Sequence, residues 1–141
     1  MEIVNKRAGR DYEILDKLEA GIALNGGEVR AVKMGRVDLT GSFVRIIGSE
    51  AYLINARIYP FQSQVAARGE PRQGREEGYD LRRTRKLLLH KREIIALKTR
   101  IQGQRLAVIP LSMYDSKANL IKLQIALAKG LQKFDKRRKK R

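Results

Sequence analysis

Residues 12–24, YEILDKLEAGIAL, carry two short alternations that do not share one phase. Tyr12 and Ile14 alternate with acids, and Leu18, Ala20, Ile22 and Leu24 then alternate in a second register. A period of two marks a strand, and the change of phase between Leu15 and Leu18 predicts a bend or bulge, as strands closing a small barrel require. Asn25-Gly26-Gly27 ends the strand. A short helix is expected over 27–34, with Val29, Ala31 and Val32 inward, Glu28, Arg30 and Lys33 outward, and Gly35 as its stop.

The flanking stretches extend the same pattern. Residues 42–47 and 51–59 alternate on either side of Gly48-Ser49-Glu50, which is a hairpin signal closed by Pro60. Residues 62–80 hold Gly69, Pro71, Gly74 and Gly78 with mixed charges and almost no large apolar side chain, which predicts a mobile loop. From His90 a helix is expected: Ile94, Leu97 and Ile101 recur at helical spacing, Glu93 lies near the start, and Gly103 lies just past the end. Residues 106–111 read as a buried strand ended by Pro110. The clearest strand is 120–128, with Ile121, Leu123, Ile125 and Leu127 on one face and Lys122, Gln124 and Ala126 on the other. Lys122 thereby stands alone on the open face. Residues 1–10 have little periodicity and read as an N-terminal arm.

Short bending strands, a few helices and no βαβ alternation give the fold class: mainly β with short helices. An OB-like antiparallel β-barrel with two or three packed α-helices fits best. At 141 residues the chain is long enough to bury a core without metal or disulfide staples. The expected division is an OB-like barrel with its arm over 1–130 and a basic, disordered tail over 131–141.

The charge is unevenly spread. The chain carries 31 Lys and Arg against 15 Asp and Glu, a formal net charge of +16. Residues 82–100, RRTRKLLLHKREIIALKTR, and residues 129–141 together hold 16 of those cations and 2 of the acids. Most of the positive charge therefore sits in two stretches attached to a nearly neutral domain. Such density repels itself unless a polyanion is its partner, and an RNA backbone suits it better than a merely soluble surface. A membrane surface fits less well, because neither stretch adjoins a long apolar or amphipathic segment. Met1-Glu2 opens without the pattern of a secretory signal, and a cytoplasmic protein is expected.

Catalytic chemistry is sparse. With no Cys and one His there is no thiol nucleophile and no ordinary zinc set. His90, between Leu89 and Lys91 at a helix start, reads as a capping or packing histidine. Asp11, Glu13, Asp16 and Glu19 run along the first strand and could be imagined as a two-carboxylate nuclease site. A solvated strand face explains them more simply. No phosphate-cradling loop or dinucleotide fingerprint occurs, and no cofactor is implied. The chain reads as a non-enzymatic RNA binder, with a basic ribosomal or other tRNA-binding structural protein as the alternative.

Several segments together resemble the SsrA-binding protein family of bacterial ribosome rescue. They are Asn5-Lys6-Arg7-Ala8, Glu19-Ala20-Gly21-Ile22-Ala23-Leu24, Gly27-Glu28-Val29, Gly41-Ser42-Phe43, Arg83-Thr84-Arg85-Lys86-Leu87-Leu88-Leu89, Leu111-Ser112-Met113-Tyr114, Ala128-Lys129-Gly130 and Asp135-Lys136-Arg137. They occur in the family's order and span nearly the whole chain. The resemblance implies an OB-fold protein that binds the tRNA-like part of transfer-messenger RNA and brings it to stalled ribosomes; a monomer is expected. Elongation factor Tu would arrive as part of that complex. The resemblance also implies RNA contact or support at Asn5, Glu19, Leu88, Lys122 and Lys129, and a ribosome-contacting tail containing Asp135, Lys136 and Arg137. The basic segments add Lys6, Arg7, Arg83, Arg85 and Lys86 as candidate RNA-binding residues. Lys122 and Lys129 would meet phosphate and Leu88 would supply an apolar contact. Glu19 would accept from a base edge or hydroxyl, or organise nearby basic groups. The chain departs from the family pattern at Asp80-Leu81, where an Asp-Pro is usual, at Leu131-Gln132, at Phe134, in a longer 62–80 loop and in a shorter tail.

Overall fold

The computed structural model describes residues 2–59, 80–116 and 120–131. The elements are β1 (Glu2–Val4), α1 (Ala8–Asp11), β2 (Tyr12–Ile22), α2 (Gly26–Lys33), β3 (Val37–Asp38), β4 (Phe43–Ile47), β5 (Glu50–Ile54), β6 (Arg57–Ile58), β7 (Arg85–Leu88), α3 (Lys91–Gln102), β8 (Leu106–Asp115) and β9 (Ile121–Gly130). The main sheet runs β1-β8-β4-β5-β7-β2-β9, and β8 also pairs with β9. The antiparallel ring β8-β4-β5-β7-β2-β9 therefore closes on itself, with β1 added beside the C-terminal half of β8. This is the closed antiparallel barrel with short helices that the alternations predict.

Closure depends on two bulges. On β2, Ile14 pairs with Ala128 and Asp16 with Leu127, so Leu15 is the extra residue. Because strand side chains alternate, one inserted residue moves every later side chain to the opposite face. Tyr12 and Ile14 accordingly pack on an outer cluster, whereas Leu18, Ala20 and Ile22 belong to the barrel interior. On β8 the slip lies between Pro110 and Ser112, and again Val108 and Met113, of opposite parity, both point inward. β9 is regular, and Ile121, Leu123, Ile125 and Leu127 fill the interior throughout.

The bulges divide the outside of the barrel. Below them, Ala8 from α1 covers Ile109, Ala126 and Ala128 and buries that half of the outer face. Above them no helix among the described residues covers β2, β9 and β8, where the outward positions are Glu19, Gly21, Lys122, Gln124, Ser112 and Tyr114.

Several expectations are corrected. The N-terminal arm is a strand and a helical turn, held by Asn5, whose backbone N–H donates to Leu111 O at 2.8 Å and whose Nδ2 donates to Pro110 O at 2.9 Å. Two carbonyls at the β8 bulge are satisfied in this way. Pro110 does not end the strand, because the bulge absorbs the place where its missing N–H would interrupt the ladder. The 51–59 strand breaks at Asn55, which takes φ 70°, and the chain then pairs β6 with β3. The hairpin stands, with Ile47 opposite Glu50 and Gly48 at φ 63° in the two-residue turn. His90 caps α3 through its backbone, its N–H donating to Glu93 Oε1 at 2.9 Å. Apart from Asp80, the loop expected over 62–80 lies outside the described residues, as does the tail beyond Leu131.

Candidate nucleic-acid interface

β7 is where the basic stretch meets the barrel. Leu87 is buried in the interior, so strand alternation turns Arg85 inward as well and leaves Lys86 and Leu88 outward. A charged side chain can occupy the interior only if its partner is there too. That partner is Glu28 on α2, and both side chains are fully buried. Arg85 Nη2 and Nε donate to Glu28 Oε2 at 2.8 and 3.0 Å, while its Nη1 donates to Ala56 O and Arg83 O and its Nη2 to Leu81 O. Arg83 holds the same carboxylate from the solvent side through Nε and Nη2. Glu28 further completes a capping box with Asn25 at the start of α2. Burial alone would raise the Glu28 pKa, but hydrogen bonds from Arg83, the Asn25 backbone and Arg85 outweigh it and hold the carboxyl below its ordinary range.

Register then aligns the outward side chains. Leu88 is opposite Gly21, Gly21 opposite Lys122, Lys122 opposite Tyr114, and Tyr114 opposite Glu2. One ladder row therefore crosses β7, β2, β9, β8 and β1. In the adjoining row Glu19 faces Gln124, and Gln124 faces Ser112. Glu19, Gly21, Lys86, Leu88, His90 and Lys122 line one open cleft together with Glu50 and Glu93. Lys86 Nζ lies 3.0 Å from Glu50 Oε2, and that contact raises its pKa. Among the described residues Lys122 forms no ion pair. The cleft thus offers ammonium groups, carboxylate acceptors and an exposed leucine, which suits a folded RNA with phosphates, hydroxyls and base edges better than a bare phosphate chain.

The family model described as SmpB protein matches residues 2–141. The chain belongs to the SmpB family. The SsrA-binding proteins of Mycoplasmopsis pulmonis and Thermus thermophilus are 44% and 41% identical to it over 135 and 134 residues, covering 96% and 95% of this chain and 84% and 86% of theirs. A solved structure described as "tmRNA-SmpB: a journey to the center of the bacterial ribosome" matches with a TM-score of 0.73 at 38% identity, covering 99% of this chain and 94% of that one.

The candidate RNA-binding positions do not all converge. Glu19, Lys86, Leu88 and Lys122 share the cleft. Lys129 does not join them: it is seven residues along regular β9, about 23 Å away, and of opposite parity to Lys122. Asn5 and Arg7 line a different groove with Tyr12, Phe43 and Val108, and Asn5 is buried as a brace for the bulge. Lys6 is exposed near that groove. Arg85 is corrected outright from an RNA contact to a buried structural group, and Arg83 is turned onto Glu28. The four acids of the imagined nuclease site separate, with Asp16 paired to Arg100 at 3.2 Å and Glu19 accepting from Tyr114. Asp135, Lys136 and Arg137 lie outside the described residues.

Sequence reasoning missed the buried role of Glu28. It also mistook Arg85 although the signal was present: two residues before a leucine that must be buried, a strand places its side chain on the buried face. For the burial of Glu28 no local signal exists, since the arginines that hold its carboxylate lie 55 and 57 positions away.

Proposed function

We propose that the outward face of β7, β2, β9 and β8 binds the tRNA-like part of transfer-messenger RNA, and that the protein delivers this RNA to stalled ribosomes for trans-translation. The observation that carries this reading is the row Leu88, Gly21, Lys122, Tyr114 with Glu19 and Lys86 beside it. An apolar contact, cations and an acceptor are fixed at lattice spacing on one rigid face, so an RNA is selected by outline and hydroxyl pattern. Membership of the SmpB family, and a neighbour described with tmRNA and the bacterial ribosome, support the same partners.

In this reading the protein is a monomeric, non-catalytic adaptor of the cytoplasm. The aminoacylated RNA arrives with elongation factor Tu, Lys6, Arg7 and Lys129 add phosphate contacts outside the cleft, and the tail with Asp135, Lys136 and Arg137 meets the ribosome. A gel-shift comparison tests it: binding to transfer-messenger RNA should be well tighter than to bulk tRNA. Equal affinity for the two would overturn it.

A further inference from the structure

Tyr114 joins β8 to β2 across the intervening strand. Its hydroxyl donates to the Glu19 carboxylate, although the two residues lie in neighbouring ladder rows and two strand spacings, about 10 Å, apart at the backbone. Burial, reinforced by Glu19, pushes the Tyr114 pKa up to about 12, so the hydroxyl keeps its proton throughout the neutral range. Glu19 itself remains exposed. A carboxylate has about four acceptor sites, and one donated bond leaves the others open.

That arrangement is unusual for a surface that meets a polyanion. A phosphate opposite Glu19 would be repelled, so the partner must bring a hydrogen-bond donor to that point. A long glutamate side chain free to rotate would lose entropy on accepting such a bond, and a side chain already tied at one oxygen loses less.

We propose that Tyr114 is a positioning residue for RNA recognition, fixing the Glu19 carboxylate so that its remaining lone pairs accept from a donor on the folded RNA. The donor is a ribose 2′-hydroxyl or an exocyclic base amino group. This inference rests on the assignment of the face to transfer-messenger RNA.

The test is Tyr114→Phe, which removes one oxygen, alone and combined with Glu19→Gln, in gel shifts against the tRNA-like domain. Tyr114→Phe should weaken binding about tenfold, with an unchanged dependence on salt, and should cost little further in the Glu19→Gln background. Transcripts lacking single 2′-hydroxyls or single base amino groups separate the two donors: the one that meets Glu19 should no longer distinguish Tyr114→Phe from the parent protein. Unchanged affinity for Tyr114→Phe, a loss of the same size in the Glu19→Gln background, or no donor deletion that removes the difference would each overturn the proposal. Lys122→Ala and Leu88→Ala locate the failure. If they too leave binding unchanged, the face is not the RNA surface; if they weaken it while Tyr114→Phe does not, the Tyr114 role alone falls.

Discussion

Leu88 lies over Gly21: a Cβ built on Gly21 would stand 3.2 Å from the Leu88 Cβ and 3.4 Å from its Cδ1. Leu88 is 55% exposed, so its position is set by this close approach across the β2–β7 ladder and not by burial in the core. The glycine is what lets an apolar side chain lie flat against the cleft floor.

Gly21→Ala should therefore separate stability from binding. Alanine in a strand is favoured over glycine by roughly 0.5–1 kcal/mol, which offsets the cost of moving Leu88 by a few tenths of an ångström. Thermal unfolding should shift little while affinity for the tRNA-like domain falls several-fold. A variant that binds normally in a filter assay would mean that the Leu88 position does not matter to RNA.

Lys122→Ala should remove one phosphate contact. The plot of log affinity against log salt should flatten by about 0.9 for a duplex partner. A slope identical to that of the parent would mean that the ammonium group faces no phosphate.

Glu28→Gln should destabilise the fold by about 3–5 kcal/mol, because it removes the buried carboxylate that Arg85 and Arg83 both hold. Chemical denaturation measures it directly, and a loss under 1 kcal/mol would mean that other acceptors suffice.

The same carboxylate gives a pH dependence. Its folded pKa is depressed, so the stability it contributes is present above the ordinary glutamate value of 4.5 and is lost as pH falls through the lower folded value. Stability measured between neutral pH and pH 3 should fall less steeply in Glu28→Gln than in the parent. Parallel profiles would assign the acid sensitivity to other groups.

Arg85→Lys should be nearly as damaging as Glu28→Gln. Three nitrogens of the guanidinium reach Glu28 and the carbonyls of Ala56, Arg83 and Leu81 at once, and an ammonium has no such fork. Retained stability in a melting curve would mean that charge alone, without geometry, holds the site.

Elements that bury a regular face were legible in the sequence. The phase change between Leu15 and Leu18 corresponds to the bulge between Ile14 and Asp16, and α3 buries Ile94 and Leu97 as its spacing predicts. The cleft was legible in part, because Glu19 and Leu88 occur in short segments similar to the family's and the alternation of 120–128 puts Lys122 on the open face. What escaped were features set by distant partners. Glu28 looks like a solvent-facing helix residue until two arginines neutralise it, and Pro110 looks like a strand end until the backbone and side chain of Asn5 satisfy the bulge. Periodicity reports which face a residue occupies, not what approaches it from elsewhere in the chain.

The Glu28–Arg85 contact also governs how the sequence between Tyr59 and Asp80 can change. α2 is fastened to β7 side chain to side chain, and β7 is laddered to β5 through Ala51 and Leu87, so the placement of Leu88 does not pass along the intervening backbone. Changes of sequence there should therefore be nearly silent for RNA recognition, because the Glu28–Arg85 contact and the β5–β7 ladder hold Leu88 in place without them.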